Sequence, residues 1–305
     1  MQSRRNRRGH LVQASLVNAS FGGDLPRVTV VTVVLNAAGV VERTLNSVFA
    51  QDYPNMEYVV IDGQSTDGTL EILKAHRDKI DKLVSESDGG IYEAMNKAVA
   101  MATGQWILFM NAGDLFVGTD AIARAFSSCN WSECDVIYGD GIFCHEGRRA
   151  IECAPDRINL LNGNGFSHQS TFVRTALQRE YGFDVTERIA ADYDLFLRLF
   201  KAGKVFRHVD IVISEFFTGG FSTRPPLETI RLRHRVYKKH LPRTDLILYL
   251  RLADRAARIA CRAIVPSRAW EALKRFRDRG KMLSDGDGQR NQPQDDVERR
   301  FARKV

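Results

Sequence analysis

The residues whose types and spacing could do chemistry lie in two segments of the chain. The first is an acidic, glycine-rich turn that opens a predicted helix, from Ser87 to Lys97. The second is an apolar run that ends in Asn111, Ala112, Gly113 and Asp114. Backbone N–H groups at such a helix start bind phosphate, and a strand-end carboxylate suits Mg²⁺ or Mn²⁺. Together the segments predict a site that holds a diphosphate and its metal ion, in an enzyme acting on a nucleotide-activated substrate.

The acids also have ordinary structural explanations. Asp62 stands in a turn rich in Ser, Thr, Asp and Gly, where it could cap free N–H groups, and Asp114 could cap the following helix. Asp192 lies in the first turn of a predicted helix, where a negative charge complements the helix dipole. Asp194 and Arg198 are four residues apart and are predicted to form a surface ion pair. The residues alone favour ligand roles for Asp62 and Asp114 and leave Asp192 open.

The elements that must position these residues follow from apolar periodicity. Four short apolar runs are predicted strands, and helical patterns alternate with them, so we expect an α/β fold with a largely parallel, doubly wound sheet. The predicted strands are residues 28–35, 58–61, 82–85 and 106–110. Beyond them, residues 136–138, 141–143 and 168–174 are predicted strands, and a helix is predicted around residues 190–199.

Polar residues follow each of the first four predicted strands. Ligands in open α/β sheets bind beyond the carboxyl ends of the strands. The strand-end residues are therefore expected to converge on one site. They are Asn36, Asp62, Asp88 and Asp114.

Charge is divided unevenly along the 305 residues, whose formal net charge is +7. Lys and Arg number 18 against 27 Asp and Glu in residues 11–223, but 16 against 5 in residues 224–280. We predict a flexible basic segment over 1–26, one domain over 27–223, a basic amphipathic helical arm over 224–280 and a disordered tail over 281–305. No apolar run is long enough to span a membrane, so we expect a cytoplasmic protein.

The five cysteines are odd in number and scattered, which does not indicate a disulfide framework. Structural zinc is the alternative, but no pair has the two-residue spacing of a zinc knuckle. We expect reduced cysteines that pack in the core.

Five motifs in this order resemble those of family-2 glycosyltransferases, in the branch that works on bacterial polysaccharides. They are the strand ending in Asn36, the Asp62 turn, the Asp88 to Lys97 segment, the Asn-x-Gly-Asp run ending in Asp114, and the Ala-Asp192-Tyr-Asp-Leu stretch. The resemblance covers roughly residues 27 to 222. It implies the GT-A fold, a nucleotide-binding parallel sheet merged with an acceptor-binding half, and inversion at the anomeric carbon of the transferred sugar.

The resemblance also implies roles for individual residues. Asp114 matches the ligand of a divalent metal, Mn²⁺ or Mg²⁺, where many relatives have two or three acids. Asp192 matches the catalytic base, with Ala191 replacing the usual Glu. His168 and Gln169 occupy positions that face the acceptor in relatives, although a structural role for His168 stays open. The residues matched to the nucleotide sugar are Asn36, Asp62, Asp88, Asn96, Lys97 and Asn111.

The implied activity is transfer of one sugar from a UDP-linked donor to a lipid-linked (polyprenyl diphosphate) or polysaccharide-precursor acceptor, as in exopolysaccharide synthesis. The Gln-x-x-Arg-Trp motif of processive synthases is missing, which favours a single addition. Two alternatives remain: a non-catalytic nucleotide-sugar-binding or scaffold protein, because the metal motif is thinned, and a nucleotidyltransferase on a similar sheet.

The basic arm over 224–280 mixes apolar residues with arginines, which is typical of helices lying on a membrane surface. This pattern suggests a peripheral protein at the inner face of the plasma membrane. The alternative is a helix packed on the domain or on a second subunit in a homodimer. No recognised nucleic-acid motif occurs, so we expect no nucleic-acid partner.

Overall fold

The computed structural model describes residues 25–145, 148–155, 160, 166–187, 189–217 and 226–240. The described residues up to 217 belong to one compact unit, and those from 226 to 240 belong to a second. The predicted basic N-terminal segment up to residue 24, the arm beyond residue 240 and the tail over 281–305 lie outside the described residues. The predicted domain boundaries stay predictions.

The four predicted strands of the first half form a parallel sheet in the order β3-β2-β1-β4. Every residue of β1 is buried, as expected for a strand covered on both faces. The carboxyl ends of all four strands therefore meet at one edge, as the periodicity predicts. These strands are β1 (Val28–Val34), β2 (Met56–Asp62), β3 (Lys82–Ser85) and β4 (Trp106–Phe109).

The second half extends the same sheet with mixed strand directions, giving nine strands in the described residues. The predicted parallel arrangement holds for the four strands β1 to β4. Beyond β4 the directions are mixed, because β8 lies antiparallel between β4 and β6, whereas β6 and β9 are parallel. The predicted strand over 168–174 also begins later, because His168–Ser170 forms a short 3₁₀ helix. The added strands are β5 (Leu115–Phe116), β6 (Val136–His145), β7 (Arg148–Glu152), β8 (Thr171–Arg174) and β9 (Phe206–Phe217).

Helices cover the sheet through apolar stripes at helical spacing. In α1, for example, Val41, Leu45 and Val48 are fully buried. The helices are α1 (Val41–Phe49), α2 (Thr69–Ala75), α3 (Ile91–Met101), α4 (Ala121–Ser127), α5 (Thr175–Tyr181), α6 (Ala191–Lys201) and α7 (Pro226–His240). The last helix belongs to the second unit and exposes the basic side chains of Arg231, Arg235, Lys238 and Lys239.

In the expected surface pair of Asp194 and Arg198, Asp194 is instead buried and Arg198 is half-buried. Asp194 has no exposed surface, and Arg198 Nε donates to its carboxylate at 2.7 Å. The same guanidinium donates to the carbonyls of Tyr181 and Gly182 at 2.5 and 2.6 Å. The pair thus attaches α6 to the end of α5, which helical spacing alone does not reveal.

None of the cysteines in the described residues forms a disulfide. Cys134 and Cys144 are buried, as expected for packing residues, and Cys129 is half-buried, but Cys153 is exposed and does not pack in the core. Among the described residues, no three His, Cys, Asp or Glu side chains are grouped as a metal site, and no helix has the length and apolar character needed to cross a membrane.

Glu57 connects three parallel strands at the end of the sheet opposite the strand-end residues. The side chain is 1% exposed. It accepts hydrogen bonds from Thr29 of β1 at 2.6 Å, Lys82 of β3 at 2.8 Å, and both the N–H and the hydroxyl of Thr103 at 2.6 and 2.9 Å. Burial alone would raise the pKa of Glu57, but these four donors together lower it to about 2.

We predict that Glu57→Gln lowers the free energy of unfolding at pH 7 by about 2 to 3 kcal/mol, because a pKa lowered from 4.5 to about 2 stabilises the folded state. This contribution is complete above pH 4.5, the pKa of an ordinary Glu, and is lost as pH falls through about 2. Urea unfolding at several pH values measures it.

The matched control is Glu180→Gln on the exposed surface of α5, which should change stability by less than about 0.5 kcal/mol. Equal effects of the two substitutions, or a Glu57→Gln effect that stays constant between pH 7 and pH 2.5, would contradict this account.

Candidate active site

The loops after β1 and β2 hold each other by side-chain to backbone hydrogen bonds. The backbone N–H of Asn36 donates to Ser65 Oγ at 2.8 Å, and the Asn36 side-chain oxygen accepts from the N–H of Thr66 at 2.9 Å. Asn36 adopts a φ of 49°, a conformation that Asn tolerates better than most residues. Asn36, the predicted nucleoside-pocket residue, thus fixes the loops that follow the first two strands.

Asp62 lies fully buried at the end of β2. Its carboxylate accepts from Ser85 Oγ of β3 at 2.6 Å and from the N–H of Ser65 at 3.2 and 3.3 Å. These bonds agree with the turn-capping alternative, and a nucleotide contact of Asp62 stays a prediction.

Asp88 lies at the start of the glycine-rich turn and faces the loop after β2. Its Oδ1 accepts from the N–H of Gly90 at 2.9 Å. A Cβ at Gly63 would lie 2.9 Å from Asp88 Oδ2, so the Asp88 carboxylate would have to move if residue 63 carried a side chain. The predicted diphosphate turn and the Asp62 turn are therefore neighbours.

The last two residues of this motif are committed to contacts within the protein. Lys97 Nζ donates to the carbonyl of Ser87 at 3.0 Å and pairs with Glu86 at 3.1 Å, and the Glu86 carboxylate raises the pKa of Lys97. Asn96 donates to the carbonyl of Phe183 and accepts from the N–H of the same residue, both at 2.9 Å. Each end of its amide already has a backbone partner, and contacts of both residues to a nucleotide stay predictions.

Asp114 lies at the end of the run after β4 and is 8% exposed. The turn before it is set by Gly113, whose φ is 101° and whose N–H donates to Thr44 Oγ1 of α1 at 2.9 Å. Gln169 Nε2 donates to Asp114 Oδ2 at 3.2 Å. Burial raises the pKa of Asp114 to about 6, against the opposing effects of His168 and Gln169.

His168 connects the run after β4 to the start of α6. Its Nδ1 lies 3.2 Å from Asp192 Oδ2, and its Nε2 lies 3.2 Å from Asn111 Nδ2. With the Asn111 amide nitrogen as donor, the neutral ring accepts at Nε2 and donates from Nδ1 to Asp192. Burial opposes a charged ring, but Asp192 and Asp114 outweigh burial and raise the pKa of His168.

Tyr92 is a contact of Asp192 that sequence reasoning missed. This side chain is buried in the first turn of α3, and its hydroxyl lies 3.5 Å from Asp192 Oδ1. Tyr92 falls inside the glycine-rich motif, but 100 residues separate it from Asp192. Nothing in local spacing indicates such a pairing.

Two neighbouring residues of one 3₁₀ turn thus bind the two acids of the site, Gln169 to Asp114 and His168 to Asp192. Asp192 keeps 29% of its side-chain surface exposed, whereas Asp114 is nearly enclosed. One open carboxylate suits proton transfer, and one enclosed carboxylate suits a bound cation.

Comparison with known proteins assigns the family. The model of the glycosyl transferase family 2 matches residues 29–176. A PGL/p-HBAD biosynthesis glycosyltransferase of Mycobacterium bovis is 30% identical over 250 residues, which cover 79% of this chain and 94% of that protein. The chain belongs to glycosyltransferase family 2. It is an enzyme that transfers sugars. This assignment argues against both alternatives, the non-catalytic scaffold protein and the nucleotidyltransferase.

Solved structures of glycosyltransferases share the fold. Staphylococcus aureus TarS 1-349 in complex with UDP-GlcNAc has a TM-score of 0.58 at 21% identity, covering 74% of this chain and 69% of that chain. The mannosyltransferase PcManGT from Pyrobaculum calidifontis, in complex with GDP-Man and Mn²⁺, has a TM-score of 0.54 at 20% identity, covering 90% and 89%. The predicted GT-A α/β fold of this glycosyltransferase is confirmed.

The residues around Asp114 fit a divalent cation of the kind the family implies. Mg²⁺ and Mn²⁺ at phosphate sites are held by one or two carboxylates, with substrate phosphates and water as further ligands. Asp114 supplies one carboxylate, and the buried side-chain oxygen of Asn111 has no hydrogen-bond partner. An unpaired buried oxygen is costly, so a ligand for it would remove that cost.

We predict that Asp114→Asn raises the free energy of unfolding by about 2 to 3 kcal/mol at pH 7.5 in EDTA, because the buried carboxylate has a pKa near 6 against 3.8 when free. A raised pKa disfavours the folded state once the group ionises. The gain should therefore grow as pH rises from about 4 to 6 and be small at pH 4. Urea unfolding gives both values.

The exposed Asp78→Asn serves as the control and should leave stability nearly unchanged at both pH values. An Asp114→Asn variant that is less stable than the parent at pH 7.5 would show that the buried charge is compensated, contrary to this account.

Proposed function

We propose that this glycosyltransferase moves one sugar from a UDP-linked donor to a lipid-linked or polysaccharide-precursor acceptor, with inversion at the anomeric carbon. Asp192 is the general base, and Asp114 holds Mn²⁺ or Mg²⁺. The carrying observation is the His168–Gln169 turn, whose two side chains bind these two acids at 3.2 Å each.

The chemistry requires one base on the acceptor side of the sugar. Asp192 accepts the proton of the acceptor hydroxyl while that oxygen forms a bond to the anomeric carbon. The bond between that carbon and the diphosphate oxygen breaks, and its electron pair leaves with the nucleoside diphosphate. A single displacement of this kind inverts configuration and needs no covalent enzyme intermediate.

His168 supports Asp192 in this role. Its Nδ1–H donates to Oδ2, and the backbone N–H of Tyr193 donates to Oδ1 at 2.7 Å. These donors fix the orientation of the carboxylate, while its exposed part stays accessible to an acceptor. His168 therefore orients the base, Asp192, on the acceptor side. This role is in addition to the direct acceptor contact that the family resemblance implies.

The metal would be held by Asp114, with the Asn111 side-chain oxygen available as a second ligand. A bound divalent ion stabilises the negative charge that builds on the leaving diphosphate. Burial of Asp114 strengthens this attraction, because fewer water molecules screen it. The Mn²⁺ in the similar mannosyltransferase structure supports the same ion class here.

The donor and acceptor classes rest on relatives. The TarS structure holds UDP-GlcNAc and the PcManGT structure holds GDP-Man, which supports a nucleotide-sugar donor. The mycobacterial relative is named for PGL/p-HBAD biosynthesis, which supports a cell-surface glycan precursor as acceptor. The exposed basic side chains of α7 suit anionic lipid, so we place the reaction at the inner face of the plasma membrane.

We predict that Asp192→Asn lowers kcat by about 10³-fold, the usual contribution of a general base, and leaves donor binding intact. Release of nucleoside diphosphate from UDP-glucose, UDP-galactose, UDP-GlcNAc and GDP-mannose, with Mn²⁺ or EDTA, measures turnover. Thermal shift with the same donors measures binding. Asp210→Asn, on an exposed position of β9, is the control and should keep full turnover.

Two results would overturn the proposal. Turnover that Asp192→Asn leaves unchanged would remove Asp192 as the base. Binding of a donor by the parent chain without any turnover, with or without Mn²⁺, would favour a binding protein over a working transferase.

A further inference from the structure

The hydroxyl of Tyr92 connects the glycine-rich turn to the segment that bears Asp192. Tyr92 is 8% exposed and lies in the first turn of α3, directly after Gly90 and Ile91. Its hydroxyl donates to the carbonyl of Ile189 at 2.9 Å and lies 3.5 Å from Asp192 Oδ1. The hydroxyl therefore donates its proton to the backbone carbonyl of Ile189, three residues before Asp192.

A second contact on the same helix reinforces the first. Asn96, one turn further along α3, binds both the N–H and the carbonyl of Phe183. The rings of Tyr92 and Phe183 pack with centroids 5.3 Å apart. The segment that leads into α6 is thus bound to α3 at two points, Phe183 near its start and Ile189 near its end.

The start of α3 is the predicted diphosphate turn. There, Asp88 accepts from the N–H of Gly90, and Glu93 reaches back to accept from the N–H of Gly89 at 3.0 Å. The 11-residue helix α3 therefore begins at the predicted diphosphate turn. Along its side it contacts the segment that leads to Asp192.

Proton transfer is a poor role for this hydroxyl. Burial, with the nearby charge of Asp192, raises the pKa of Tyr92 well above its usual value, so the hydroxyl stays protonated at neutral pH. A hydroxyl that keeps its proton and donates it to a backbone carbonyl can fix a position, but it does not exchange protons with substrate.

We propose that Tyr92 is a positioning residue for the base: by fixing the Ile189 carbonyl, its hydroxyl sets the place of Asp192. This inference rests on the proposed role of Asp192. It assigns to the tyrosine of the glycine-rich motif a task beyond core packing.

The test compares Tyr92→Phe with Tyr53→Phe in the full chain. Tyr53 is a matched control, because it is 4% exposed and its hydroxyl also donates to a backbone carbonyl, that of Pro26 at 2.6 Å before β1. We expect Tyr92→Phe to lower kcat about tenfold with the donor KM unchanged within about twofold, since one hydrogen bond is lost without loss of donor contacts. Tyr53→Phe should keep the kcat of the parent.

The same substitutions are then made in the Asp192→Asn chain. If Tyr92 acts through the base, Tyr92→Phe should have no further effect on residual turnover there. Equal kcat values for Tyr92→Phe and Tyr53→Phe, or a further tenfold loss in the Asp192→Asn chain, would overturn the inference. Full turnover of Asp192→Asn alone would instead refute the proposed base, so the two failures are distinguishable.

A crystal structure of Tyr92→Phe provides a readout independent of turnover. We expect the Ile189 turn to shift and Asp192 Oδ2 to leave hydrogen-bond distance of His168 Nδ1, with α3 unchanged. An Asp192 carboxylate in its original place would overturn the inference.

Discussion

The antiparallel pairing of β8 with β4 is the constraint on which the site depends. Trp106 is paired with Arg174 and Ile107 with Val173, so the amino end of β8 meets the carboxyl end of β4. The 3₁₀ turn that precedes β8 is thereby carried to the run that follows β4. Gln169 then reaches Asp114, and His168 reaches Asn111. A shift by one residue would place these side chains on the opposite face.

The two ends of the sheet have opposite electrostatic character. At the amino ends, Glu57 is ionised and fully hydrogen-bonded, which stabilises the fold. At the carboxyl ends, Asp114 is buried with a raised pKa and Asn111 leaves a buried oxygen unpaired, which costs stability. Proteins commonly accept such costs where a ligand later removes them. The stability contributed by Glu57 can offset the cost of burying the Asp114 charge and the unpaired Asn111 oxygen, which a bound ligand would remove.

Sequence patterns predict the parallel half of this fold well. The buried run of β1, and the polar residues Asn36, Asp62 and Asp114 at strand ends, follow from local periodicity and from general rules of α/β sheets. The family resemblance adds the proposed role of Asp192 as the base, which periodicity leaves open. All of these depend on residues close together in the chain or on a shared motif order.

Long-range pairings are what the sequence does not specify. Asp194 and Arg198 show the spacing of a surface pair, yet the carbonyls of Tyr181 and Gly182 complete a buried network around them. The Tyr92 hydroxyl and the β8 register likewise depend on partners that are distant along the chain. Side-chain chemistry indicates what a group can bind, but only tertiary packing selects the partner.

We propose that one turn holds a metal-binding acid and a separate base acid in a single sugar-transfer centre. Anomalous diffraction from crystals soaked with Mn²⁺ and UDP tests this arrangement most directly. We predict one manganese peak within about 2.3 Å of an Asp114 oxygen, bridged to the diphosphate, with Asp192 free of metal and still bound to His168. A manganese ion bound at Asp192, or a UDP diphosphate bound away from Asp114, would contradict it.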